Sequence, residues 1–534
     1  MLFNKNKCLL ILFLLLVISS LVASKTMAKD PTTLVVALPG DIASLDVHQL
    51  FDPRAWPLAR ALYGGGFEWK LGTDHKSGLT SFTTDFQPGL IDSWDRREEN
   101  GVLIYRLNLR KGCKFESGNE LTAKDYVYRV ARVNELSGFD NIVWGCTKGA
   151  DCVKVIDDYT VEYHLDEPNA VSDRGMEELT MMIADSEELK KHHTDQDPWA
   201  HEFLRSNALG VGAYTLDHMT PGVEILLKKN ETYCAPKNMH GYYDQILFKI
   251  IPSVSDQALL LRDGEIDLAP ELPMKEVLDL VGKPGIEVLS FASLNLFYLG
   301  FNVSTEPFDN VKVRQALAYA MPSNDIIDAV FLGEAQKPAG LVTAGTVGAT
   351  DKHWVYEFNL NKAKRLLAEA GYPDGFEMDL AFNLSRTTHE DSAVLIKNSF
   401  AKIGVNVNLL KQNEAAFHEK LYAKQAPPTY LEEVLAWTND AGYTYDMEYS
   451  PWGFANFGNW LHPKMEKLIK EAWLVRDPDV RLPMYDEVQK IVDTELPVIA
   501  IAQPNYVVAL RNDIKGYVKT WDELPRYHML SPSK

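Results

Sequence analysis

Residues 435–446 read LAWTNDAGYTYD and place a carboxylate, Asp440, among aromatic rings. Trp437 precedes it, Tyr443 and Tyr445 follow, and Tyr449, Trp452, Phe454, Phe457 and Trp460 continue the run. That makes eight aromatics between 437 and 460, in a chain that is 10% aromatic overall. A carboxylate dried by surrounding rings is costly unless a cation joins it. The chemistry such a group offers is a charge-assisted hydrogen bond to an ammonium or guanidinium. The plainer reading of the same residues is an Asp that caps the turn before Ala441-Gly442, with about half of the rings filling a core.

The chain has no HExxH, no paired CxxC, no P-loop and no GxSxG. The glycine-rich YGGGF at 63–67 lacks the GxGxxG order that cradles a pyrophosphate. His192 and His193 are adjacent, so on a helix or strand they point apart, and they read as a solvated polar face rather than a metal site. No cofactor is implied. Five cysteines are present. Cys8 lies in the leader described below. Cys146 and Cys152 flank a Gly-Ala-Asp turn and are expected to close a small loop, whereas Cys113 and Cys234 are expected to be buried thiols. None of the spacings reads as zinc.

The elements that must position Asp440 alternate along the chain. Strands are expected at 32–38, 102–115, 155–165, 223–230 and 245–251, from β-branched runs and alternating polarity. Helices are expected after Thr122, after Ile251 up to Gly264, around Val313 to Met321, and after Asn359 up to Gly371. Further helices are expected before the strand at 405–410, and in MEKLIKEAWLV and RLPMYDEVQKIVDTEL. This alternation indicates an α/β class with mixed sheets. No low-complexity linker separates the halves, so domains that share crossing segments are expected.

The first 28 residues hold Lys5 and Lys7, an apolar run from Leu9 to Val17, and small residues ending in Thr26-Met27-Ala28. This is the order of a secretory signal peptide. Its three lysines, Lys5, Lys7 and Lys25, carry no acidic partner, so removing it takes the net charge from −20 to −20 − 3 = −23. A surface so acidic has no footprint for nucleic acid phosphates or an anionic membrane.

Segments along almost the whole mature chain resemble periplasmic solute-binding proteins of ABC importers, family 5, the oligopeptide-, dipeptide- and nickel-binding type. They are SLDVH, ARALYGGGF, QPGLIDSW with LRKGCKFESGNELTAKDYVYRV, LGVGAYTL, LLLRDGEIDLAPELP, FYLGFN, VRQALAYAM, KAKRLLAEAGYPDGF and AKIGVNV, in the family's order. The resemblance implies an α/β, two-lobed periplasmic-binding-protein fold (class II type, cluster C) with an extra domain inserted in the first lobe. It implies lobe I at 29–75, 200–295 and 505–534, the extra domain at 76–199, and lobe III at 296–504.

The resemblance also implies a site. AWTNDAGY matches the family's Trp-x-x-Asp segment, so Asp440 is expected to meet a ligand's free α-amino group, with Trp437, Thr438 and Asn439 walling the pocket. Tyr298, Tyr63 and Arg386 are expected to line the cleft, Arg386 as the partner of a ligand carboxylate. Two departures are visible. The family's Asp-Pro after the site aspartate is missing from DAGYTYD, and LYGGGF replaces Leu-Tyr-Glu-Gly-Leu. The implied role is a monomeric, non-catalytic binding component that delivers oligopeptides or dipeptides to ABC permease subunits in the membrane. The same scaffold could serve an oligosaccharide, glutathione, haem or a nickel chelate, or act as a signalling receptor. An exported α/β enzyme is the reading from another class.

Overall fold

The computed structural model describes residues 30–46, 48, 54–73, 80–136, 145–180, 182–436 and 438–533. The expected signal peptide and Trp437 lie outside the described residues. A mixed sheet of twelve strands runs through the protein. From one edge its main path is Asn406–Gln412, Glu377–Asn383, Thr429–Leu435, Asn295–Phe301, Val498–Arg511, Leu268–Ala269, Thr33–Leu38, Gln245–Ile250, Glu224–Lys229 and Tyr214–Thr220. Thr33–Leu38 pairs in parallel with Gln245–Ile250, and all six of its residues are buried. A strand covered on both faces needs apolar side chains at every position, which is why TLVVAL does not alternate.

Val498–Arg511 is the strand that joins the two halves. Its first residues pair antiparallel with Asn295–Phe301, from Gly300 opposite Val498 to Phe297 opposite Ala502. Its later residues pair antiparallel with Ile286–Ala292, from Ala292 opposite Asn505 to Ile286 opposite Arg511. The chain therefore crosses between halves at 293–294 and again at 503–504. The Gln503 side chain ties the crossings together, donating to the Ser293 carbonyl at 2.6 Å and the Ala344 carbonyl at 3.0 Å.

The cores divide at the same place. One core gathers Leu34, Leu62, Tyr126, Tyr163, Phe248, Val508 and Tyr527 with many others from both ends of the chain. Two more cover opposite faces of the second half, around Phe297, Leu317 and Phe400 on one side and Tyr298, Tyr445 and Val488 on the other. A separate antiparallel sheet, in the order Ile91–Glu99, Val102–Leu109, Thr160–Leu165, Val153–Asp157, shares the first core. Its first hairpin turns at Asn100-Gly101, both at positive φ (53° and 78°), a turn that matches strand twist and favours this pair of residues.

The helix Ala123–Leu136 is fastened to the first half by a buried ion pair. Arg132, fully buried, places two guanidinium nitrogens on Asp46 at 2.7 and 2.6 Å, and His201 Nδ1 lies 2.7 Å from the same carboxylate. Two disulfides are present. Cys146 is bonded to Cys152, closing the small loop. Cys113 is bonded to Cys234, with Cα atoms 5.1 Å apart. The expectation of buried thiols at 113 and 234 is thus corrected. Their separation of 121 residues hid a pairing that only the packed fold brings together.

Candidate functional site

Asp440 reaches its place through the crossing. The strand Thr429–Leu435 pairs antiparallel with Asn295–Phe301 and ends beside 293–294, where the Ala436 N–H donates to the Leu294 carbonyl at 3.4 Å. Beyond 437 the chain is pinned at successive residues. Asn439 Oδ1 accepts the Val347 N–H at 3.1 Å, and the Ala441 N–H donates to the Val347 carbonyl at 2.9 Å. A helix then runs from Ala441 to Tyr449. Asp440 is its N-cap and Oδ1 accepts the Gly442 N–H at 3.0 Å, the capping role among the two readings of the sequence.

The carboxylate is completely buried and does not stand alone. Arg481 Nη2 donates to Oδ2 at 3.1 Å, and the Tyr485 hydroxyl donates to Oδ1 at 2.9 Å. Both come from the helix Pro478–Glu495, four residues apart on one face. The dried carboxylate therefore already has a cation, because Arg481 supplies one from within the same half. One lone pair of Oδ2 is left beyond these three bonds.

A second guanidinium comes from the other half. Arg174 lies on the helix Ser172–Thr180, whose Asp173 pairs with Arg96 at 2.5 Å. Arg174 Nη1 donates to the carbonyl of Asn439, the residue before Asp440. Burial holds Arg174 below the usual arginine range. The charge of Asp440 works against that, and the neighbouring Arg481 adds to it. The halves also meet where the Ala170 N–H donates to the Trp473 carbonyl at 2.7 Å and where Arg476 pairs with Glu98 at 3.0 Å.

Of the other expected site residues, Thr438 is buried beside Asn439 and Asp440. Arg386 projects 42% exposed and pairs with Glu433 at 2.9 Å. Burial pushes the Glu433 carboxyl up, but bonds from His389 and Asn295 and the Arg386 charge outweigh it and bring the group to about 2. Tyr298 is 3% exposed and packs into a core against Tyr430, ring centroids 6.3 Å apart. Tyr63, 1% exposed, closes the helix Ala55–Tyr63 inside the first half's core. The structure thus brings Thr438, Asn439 and Asp440 together with Arg481, Tyr485 and Arg174. It does not bring Tyr298, Tyr63 or Arg386 into that cluster.

The aromatic run divides by burial. Tyr443, Tyr445, Tyr449, Phe457 and Trp460 are buried, and Trp452 and Phe454 are each 43% exposed. The crossing also borders a small cavity lined by Phe291, Tyr506, Tyr517, Thr520 and Glu523. Burial pushes the Glu523 carboxyl up to about 7 against hydrogen bonds from Ser293 and Leu294. Leu294 is also the residue whose carbonyl accepts the Ala436 N–H. Among the described residues, no three His, Cys, Asp or Glu side chains gather as a metal would require. Sequence reasoning missed Arg174, Arg481, Tyr485 and Glu523. The four-residue spacing of Arg481 and Tyr485 in an expected helix was the available signal for that pair.

The chain is 28% identical over 499 residues to a dipeptide-binding protein of Escherichia coli (strain K12), covering 88% of each chain. It is 27% identical over 466 residues to heme-binding protein A of Haemophilus influenzae, covering 82% of each. Among solved structures it is similar to a Helicobacter pylori ABC transporter-associated periplasmic binding protein in complex with the peptide STSA, with a TM-score of 0.78 and 26% identity. That match covers 94% of this chain and 98% of the other. The family model of bacterial extracellular solute-binding proteins, family 5, matches residues 85–456. With a two-lobed α/β body, two chain crossings and polar groups lining their boundary, this chain belongs to the bacterial extracellular solute-binding proteins of family 5.

Proposed function

We propose that this protein binds oligopeptides or dipeptides between its halves and hands them to the membrane permease subunits of an ABC importer. The observation that carries the reading is the wall at 438–440. It sits at the boundary of the halves, is touched by an arginine from the opposite half, and ends in a buried carboxylate. The dipeptide-binding relative and the peptide-bound structure point the same way. A ligand's ammonium group would bond the free lone pair of Asp440 Oδ2 and the Asn439 carbonyl, with Thr438 and Trp437 beside it. Arg386 would meet the far carboxylate, and Tyr298 and Tyr63 would act through the walls they support.

In this reading 29–75, 200–295 and 505–534 form lobe I, 76–199 the extra domain and 296–504 lobe III. The protein is a monomer, exported to the periplasm with its signal peptide cleaved, and it returns its ligand unchanged. The test is to purify it, denature it and identify the released ligand by mass spectrometry. Peptides of two to several residues support the reading. A haem, a sugar or glutathione in stoichiometric amount overturns it.

A further inference from the structure

Arg481 and Arg174 both act on this one carboxylate, and Arg481 alone is enough to neutralise it. Arg174 therefore brings a surplus positive charge into a partly dried boundary, where it bonds only a neutral carbonyl, that of Asn439, among its described partners. The carbonyl of Asn439 and the remaining lone pair of Asp440 are the two acceptors that an incoming ammonium group would use. A third cation beside two guanidiniums and one carboxylate would be strongly disfavoured in a low-dielectric boundary.

We propose that Arg174 is a built-in stand-in for the ligand's cation. It bridges the halves by bonding Asn439 beside Asp440, and a ligand ammonium group must displace it to bind. This rests on the peptide reading above and adds a residue that sets its selectivity. Arg174 sits in the half opposite Asp440, so the same bond that blocks the acceptors also holds the halves together. Only ligands whose amine outcompetes a guanidinium then gain full affinity. Weak amines, and ligands lacking one, are turned away. Burial, with the neighbouring Arg481 charge, holds its pKa below that of an ordinary arginine against the charge of Asp440.

The test is Arg174→Gln, in two measurements on ligand-stripped, refolded protein. In the first, titration calorimetry compares a free-amine peptide with its N-acetylated form. Removing a competitor that fills the subsite most of the time raises apparent affinity by the inverse of the free fraction, about tenfold or more. The free-amine peptide should gain that factor, and the acetylated one should not. In the second, small-angle scattering of the unliganded proteins should give a larger radius of gyration for the variant. Unchanged or weaker free-amine binding, or equal radii, would overturn the proposal. If affinity for acidic or acetylated peptides falls instead, Arg174 is a ligand anchor and the stand-in role is excluded. If neither protein binds any peptide, the peptide reading fails, and the scattering comparison alone decides the role of Arg174.

Discussion

Asp440 was visible in the sequence as an acid in an aromatic setting, but its partners were not. Nothing local in LAWTNDAGYTYD announces an arginine 41 residues later or one from the opposite half. Side-chain partners that far apart are set by packing, which the sequence pattern does not encode. The cap, by contrast, was legible, because Asp before Ala-Gly suits an N-cap. Asp440→Asn keeps an oxygen for the Gly442 N–H but leaves Arg481 buried without a counter-charge. It should lower stability by roughly 3–5 kcal/mol. Chemical denaturation measures this. Adding Arg481→Met in the same protein should restore most of the loss, as coupled partners do in a double-mutant cycle. Equal stability for Asp440→Asn and the native protein would mean that the ion pair is not made.

At the scale of elements, several strands and caps were marked, but Thr429–Leu435 and Val498–Arg511 were not among the expected strands. Asn359 caps the helix Leu360–Glu369, and Gly264 ends Val254–Asp263 at φ 78°. The helix Ala441–Tyr449 was not anticipated. Its sequence AGYTYDMEY is poor in strong helix formers, and it forms because tertiary packing buries eight of its nine residues. The helix Pro478–Glu495 shows how burial of polar groups affects stability. Asp493 accepts the Leu341 N–H at 3.0 Å, yet burial pushes its carboxyl from 3.8 up to about 7. A folded-state pKa above the unfolded one means the native state holds the proton more tightly. The stability tied to Asp493 is therefore full below about pH 4 and is lost as pH rises through about 7. Asp493→Asn should flatten the pH dependence of the melting temperature between pH 5 and 8. An unaltered slope would show that this carboxyl does not titrate as described. The Asp46–Arg132 pair fixes the helix Ala123–Leu136. Asp46→Asn strands a fully buried guanidinium and should cost roughly 3–5 kcal/mol in denaturant unfolding. A loss under about 1 kcal/mol, as for an exposed pair, would contradict the burial.

At the scale of the molecule, the absence of a linker foretold halves that share strands, and Val498–Arg511 runs through both. Segments of the first half come from both ends of the chain, so the division could not be read as consecutive blocks. Periodicity and composition alone did not divide the chain; the expected bounds came from the family resemblance, and in the structure 286–292 and 295–301 pair with successive parts of one strand. Two crossings two residues long make a short hinge, with Gln503 bonding both. Ligand bound between halves so joined stabilises their closed arrangement by its differential affinity for it. The most direct measurement is calorimetric titration of stripped, refolded protein with one peptide in free-amine and N-acetylated form. Acetylation should weaken binding at least about tenfold, or about 1.4 kcal/mol. Equal affinity for the two forms would show that no ligand ammonium meets Asp440.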